Sequence, residues 1–155
     1  SIPSFETPDF SELFSEEKSI IANLKKLFLM VSGAALQKYG EKIEQHQQLM
    51  LAASDILIQI YLAESAILRA EKNATRFGED AQQVQIAMAK LRLYKAIDKI
   101  NEKAKEGIIS FAKGDEQKMM LMGLKRFTKY QNYPNIVELR NTIADKIVKD
   151  NHYAM

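Results

Sequence analysis

Two histidines, twenty carboxylates and no cysteine are the groups from which this 155-residue sequence could build a reactive site. Helical bundles hold paired metal ions through Glu-x-x-His, because a spacing of three brings both ligands to one metal from the same helix face. Ile43 stands three residues before His46 and Lys149 three before His152, so neither histidine has its carboxylate. His46, in EQHQQ, reads as a solvated residue near a helix start, and no metal site is expected. The lack of cysteine removes disulfides, thiolate catalysis and cysteine-ligated metal sites.

Glu64 is the one carboxylate at the edge of an apolar helical seam. Burial there could raise its pKa and make a general base. No second catalytic group can be assigned beside it, so the expected role is structural, paired to a Lys or Arg or turned outward. G-x-S-x-G, G-x-x-x-x-G-K and G-x-G-x-x-G are all absent, and the six glycines fall mostly at expected helix ends. Nucleophile elbows and phosphate loops therefore find no support. No catalytic, cofactor-binding or metal-ligating residue is assigned.

The elements that would have to position such groups are helical throughout. Asp9-Phe-Ser-Glu12 has the form of a capping box and predicts a turn of helix over Phe10–Phe14, and Ser15 then caps the first long helix. That helix runs to about Lys38 with Ile20, Leu24, Leu27, Val31 and Ala34 inward, widened by Phe28 and Ala35, and Tyr39-Gly40 stops it. A second helix spans about Glu41 or Glu44 to Thr75. A third spans Asp80 to Phe111, with Val84, Ala87, Leu91, Tyr94, Ile100, Ala104 and Ile108 inward. Its outer side pairs Lys95/Asp98, Lys99/Glu102 and Lys103/Glu106, each pair stabilising by only ~0.2–0.5 kcal/mol. Asp115 starts a fourth helix over Met119–Tyr130. Pro134 and an Asn135-x-x-Glu138 box start the last, which runs to Lys149 on a stripe of Ile136, Leu139, Ile143 and Ile147. The expected fold is an all-α, antiparallel up-and-down bundle of four to five helices, with residues 1–15 as an arm from an upstream domain and 16–155 as one bundle.

The second helix carries more apolar surface than one seam explains. At ~100° per residue, Leu49, Ala53, Ile56, Ile60, Ala63, Ile67 and Ala70 share the seam, while Leu51, Ile58 and Leu62 lie far round the cylinder among Asp55, Gln59 and Arg69. Either a neighbouring helix of the chain covers this second face, or Leu51, Ile58 and Leu62 form a docking face. A membrane span is not favoured, because Asp55, Gln59 and Glu64 interrupt the run short of ~20 apolar residues. KMMLMGLKRFTKY could lie on an anionic membrane or grip an adaptable partner, while the simpler account is that its Met and Phe side chains fill the core.

All 22 Lys and Arg follow residue 17, against 15 acids in the same stretch, a moderate and scattered surplus that is no nucleic-acid footprint. The opening SIPSFETPDF lacks the features of a signal peptide and suggests a fragment that begins mid-protein, with a cytoplasmic location expected.

Three strings carry a resemblance: LKKLFLMVSGAALQKYG, then QHQQLMLAASDILIQIYLAESAILRAEKNA, and near the end FTKYQNYPNIVELRNTIADKIVKDNHY. Over Phe14 to Tyr153 the chain resembles the additional C-terminal helical domain of very-long-chain-type acyl-CoA dehydrogenases, bacterial members especially. The resemblance implies a parent flavoprotein that desaturates acyl-CoA thioesters between the α and β carbons, with FAD taking the hydride and a glutamate of the upstream core removing the proton. It places FAD and catalysis outside this chain and carries over no site residue. The implied role is a non-catalytic accessory bundle on its own upstream dehydrogenase core, occupying surface that tetrameric relatives use for subunit association, and it leaves a homo-oligomeric parent open. The family's membrane-associating segment lies upstream of the bundle, and the acidic arm here does not favour anionic lipid. The alternative is a stand-alone bundle that binds a protein partner or a membrane surface.

Overall fold

The computed structural model describes residues 9–154, so the Pro3–Pro8 part of the expected arm lies outside the described residues. Five α-helices carry the chain: α1 (Ser15–Tyr39), α2 (Gln47–Phe77), α3 (Gln83–Phe111), α4 (Gly114–Phe127) and α5 (Ile136–Ala154). Short 3-10 turns at Gly40–Gln45 and Asp80–Gln82 lead into α2 and α3. No strand occurs among the described residues, and the all-α bundle read from the sequence is the fold.

α1 to α4 close around one core, with α2 against α3, α1 against α2, and α4 bridging α1 and α3. α5 packs on α3 alone among the helices, as an outer layer. This explains a difference in α3. Its C-terminal half buries Ile100, Ala104 and Ile108 as expected, but its N-terminal half turns Ile86, Ala89, Leu93, Ala96 and Ile97 into the core. Val84, Leu91 and Tyr94 are only half-buried. They lie round the cylinder on another face, and the period of a helix lets one sequence carry both sectors at once.

The seam of α2 is Leu49, Ala52, Ile56, Ile60, Ala63, Ile67, Ala70 and Ala74, so Ala52 takes the place expected for Ala53. In α1 the buried set is Ile20, Ile21, Leu24, Leu27, Val31 and Ala35, with Ala34 and Phe28 half-buried. The stripe of α5 is shallower than expected: Ile136, Leu139 and Ile143 are half-buried and Ile147 is exposed.

The helix ends depart from the sequence reading where side chains found other partners. Asp9 accepts hydrogen bonds from the Ser11 N–H (3.0 Å) and hydroxyl (3.2 Å), making a local turn in place of a helical turn. Ser15 does not cap α1, because its hydroxyl donates back to the Glu12 carbonyl at 2.8 Å. The cap position falls to Phe14, whose backbone is left-handed (φ 62°) and whose ring is fully buried in the core. A non-glycine residue in that region is strained, and burial of the whole ring offsets it. α4 starts five residues earlier than expected, at Gly114, and α5 is capped as expected, Asn135 Oδ1 accepting from the Glu138 N–H at 3.1 Å.

Polar fastenings lie at the edges of the core. Glu16 Oε1 accepts from the backbone N–H groups of Gln131 (2.7 Å) and Asn132 (2.8 Å), fixing the turn between α4 and α5 to the start of α1. Lys38 Nζ donates to the Phe111 carbonyl, satisfying an acceptor at the end of α3. Met120 and Leu124 anchor α4, with Leu121 and Phe127 packed beside them, whereas Met119 and Met122 point outward. Core-filling thus accounts for four of the six Met, Leu and Phe side chains of the Met-rich segment.

Candidate functional site

Leu51, Ile58 and Leu62 are 59%, 52% and 42% exposed, and no described part of the chain covers them. They belong to a wider surface than the sequence singled out. Met50, Leu57, Tyr61 and Leu68 are also exposed on α2, with Tyr61 at 69%. On the wheel these four sit between the buried seam and the Leu51, Ile58, Leu62 sector. A seam-plus-second-face reading assigns them to neither; the signal that could have found them is that from Leu49 to Leu68 the helix carries only two charges, Asp55 and Glu64.

α1 extends the same surface through Leu29 and Leu36, both exposed. The boundary between the two helices is crossed by ion pairs, Lys25 Nζ to Glu64 Oε2 at 2.7 Å and Lys18 to Glu71. Glu64 therefore has the structural role expected of it. Both pairs are largely solvated, so each contributes at most ~1 kcal/mol. Toward α3 the edge is closed by Arg92, whose guanidinium donates to Gln59 Oε1 at 3.0 Å.

α1 with its following turn, and α2, each contain an 18-residue stretch apolar enough to cross a membrane by length and composition, with mean hydropathy 1.4 and 1.5. Their inward faces account for part of that apolarity by forming the core. The outward face of α2 is the part left unaccounted for, and a contiguous exposed apolar surface of this kind marks an interaction site.

The remaining candidate groups are dispersed. His46 sits at the cap position of α2 with its ring stacked on Tyr39 (centroids 3.6 Å apart). No three His, Asp or Glu side chains among the described residues gather as a metal cage. A cleft of about 610 Å³ between α3 and α4 is lined by Tyr94, Tyr130 and Tyr133 together with Lys105, Lys125 and Lys129. Tyr130 is buried there with its hydroxyl unpaired. Burial, followed by the negative charges of Glu17 and Glu16, pushes its phenol well above the usual tyrosine range, so it stays neutral and is no base at ordinary pH.

The family described as acyl-CoA dehydrogenase, C-terminal domain, matches residues 23–126. This chain belongs to that family. A Bacillus subtilis (strain 168) protein described as "Probable acyl-CoA dehydrogenase" is 30% identical over 145 residues, covering 94% of this chain and 24% of the relative. The crystal structure of an acyl-CoA dehydrogenase complexed with FAD from Bacillus anthracis superposes with a TM-score of 0.86 at 32% identity, again over 94% of this chain and 24% of that one. The chain thus spans about a quarter of the length of these acyl-CoA dehydrogenase relatives.

The described residues of this C-terminal domain do not fit a flavin. Apart from Thr128, Tyr130 and the Ser32 hydroxyl, the buried side-chain groups are apolar. The glycines at positive φ, Gly40, Gly78 and Gly114, stand singly at helix boundaries. A dinucleotide needs backbone N–H groups of a glycine-rich turn aimed at its phosphates, and the sequence holds no G-x-G-x-x-G turn.

Proposed function

We propose that this chain is the non-catalytic accessory domain of an FAD-dependent acyl-CoA dehydrogenase, and that it acts by packing on the catalytic core of the same polypeptide. The observation that carries the reading is the uncovered apolar face of α2, with Leu51, Ile58 and Leu62 in it, on a bundle whose own core is complete. Such a face is stable in water only at a cost that a permanent neighbour removes. Support for the neighbour's identity comes from the family match and from relatives about four times as long, one of them named as an FAD complex. FAD and acyl-CoA chemistry then reside in the remaining portion, the residues before Leu13 serve as the connection to it, since Leu13 and Phe14 already pack in the bundle, and the assembly is cytoplasmic.

The test is to purify this chain alone and the longer polypeptide that contains it. The chain alone should be helical by circular dichroism, colourless, and inactive toward acyl-CoA with any electron acceptor, while the longer protein carries flavin. Flavin absorbance bound by the isolated chain would overturn the reading. Sedimentation of the isolated chain with anionic liposomes at low salt would favour a membrane-binding module instead, through the exposed Met119 and Met122 of α4 and its neighbouring lysines.

A further inference from the structure

Three glycines lie inside helices, and two of them are explained within the chain. A Cβ on Gly107 would meet Leu49 Cδ1 at 3.4 Å, and one on Gly123 would meet Met30 Sδ at 2.8 Å, so both permit close helix approach. Gly33, in the middle of α1, differs: a Cβ there has nothing within 4 Å. Glycine weakens a helix interior relative to alanine, and nothing in this fold makes use of that weakening. Gly33 is exposed and stands between Leu29, four residues before it, and Leu36, three after it, both exposed as well. That spacing places a notch between two apolar side chains on one strip of the helix.

Next to the strip, where α1 and α2 meet beside the 3-10 turn at Gly40–Gln45, lies an apolar hollow of about 250 Å³. Val31, Ala35 and Leu49 are buried and form its floor, and the exposed Leu36 and Met50 stand at its rim. Its one polar feature is the Ser32 hydroxyl, which is buried without a hydrogen-bond partner. A hollow of this size accepts one large side chain, the form that interface anchors take.

We infer that the α1–α2 outer face seats a helix of the catalytic portion of the same polypeptide, with its backbone close over Gly33 and one apolar side chain in the hollow beside Ser32. This rests on the accessory-domain reading and adds where the contact is made. The occupant is the rest of the polypeptide because about three quarters of the relatives' length lies beyond the region this chain matches. A tether also holds the two portions at a high effective concentration, which a second copy lacks. A lipid occupant is disfavoured because the Lys18–Glu71 and Lys25–Glu64 pairs sit on the boundary between these two helices.

Hydroxyl-radical footprinting of the full-length polypeptide tests this, with four methionines as internal rulers. Met50 lies on the proposed face, Met88 on α3, and Met119 and Met122 on α4, and all four are exposed in the bundle. Met50 is expected to oxidise about fivefold or more slowly than Met119 and Met122, as for a side chain enclosed by a water-excluding rim, at every protein concentration used. Gly33→Leu meets open space within the chain, so the bundle's helicity should be unchanged while Met50 regains the reactivity of Met119. Met50 reactive while Met88 or Met119 is protected would overturn the inference and leave the accessory-domain reading standing. Equal reactivity at all four would end both. Protection of Met50 that is lost on dilution, that requires anionic vesicles, or that survives Gly33→Leu would each overturn the inference.

Discussion

α2 and α3 are neighbours of nearly equal length, 31 and 29 residues, and they share the largest helix–helix contact of the bundle. Their inner faces are alike, built of Ile, Leu and Ala at helical spacing. Their outer faces are opposite. α3 shows water Lys95, Lys99, Glu102, Lys105 and Glu106, with Lys99–Glu102 at 3.9 Å and Lys103–Glu106 at 3.7 Å, whereas α2 shows it Leu57, Ile58, Tyr61 and Leu62. Burial inside the chain sets the inner faces of both, and only α3 has an outer face suited to remaining in solvent. The difference marks α2 as the side of the bundle that is incomplete without a partner.

The sharpest way to break this contrast is to truncate two isoleucines two residues apart on α2. Ile56→Ala should destabilise the isolated chain by ~2–5 kcal/mol, the loss of a buried side chain plus the cavity it leaves, because Ile56 is fully buried. Ile58→Ala should change it by no more than ~0.5 kcal/mol. Both are read by denaturant unfolding, and a large effect of Ile58→Ala would mean that this face is used within the chain.

The next effect lies at the far end of the bundle. Glu16→Ala removes the acceptor for the Gln131 and Asn132 N–H groups and should cost ~1.5–3 kcal/mol, the scale of hydrogen bonds to a charged group. Tyr130→Phe should instead stabilise by ~1 kcal/mol, because it deletes a buried hydroxyl that has no partner. It should also alter the pH dependence. The folded-state pKa of Tyr130 is raised, so its contribution is present below the unfolded value near pH ~10 and is lost as pH climbs beyond it. The wild-type chain should therefore lose stability above pH ~10 more steeply than the Phe variant, as thermal melts across that range would register.

Two smaller effects sharpen the outer faces themselves. Gly33→Ala should stabilise the isolated chain by ~1 kcal/mol, as replacing a helix-interior glycine in open space does, and a loss of stability would reveal an intrachain contact at that position. Lys99→Ala on α3 should fall within ~0.5 kcal/mol, since its partner is solvated.

Much of the fold was legible because a helix of a small bundle declares its buried side at a period of 3.6 residues. The α2 seam differs from expectation at two alanines, Ala52 in place of Ala53 and Ala74 added at its end. In the N-terminal half of α3 the pattern also admits Val84, Leu91 and Tyr94 as the inner face, because two apolar sectors overlap there and the sequence does not say which one meets the core. At Ser15 the expected cap was lost to a competing acceptor three residues back, the Glu12 carbonyl. Of the outer face, Leu51, Ile58 and Leu62 were singled out, while Met50, Leu57, Tyr61 and Leu68 were missed, because their angle on the wheel is one that an adjacent helix often covers.

By itself the sequence determined that the chain is helical, where most helices stop, and that α2 carries more apolar surface than one seam can bury. These are local properties, set by glycine and proline placement, capping chemistry and the periodicity of apolar side chains. The tertiary structure alone decided that α5 lies on α3 and leaves the outer side of α2 bare, and that Gly33 opens on empty space while Gly107 and Gly123 meet neighbours. Those facts depend on which helices pack together, and the pattern within a single helix is nearly the same whether its second apolar face meets a neighbour in the chain, a partner or water.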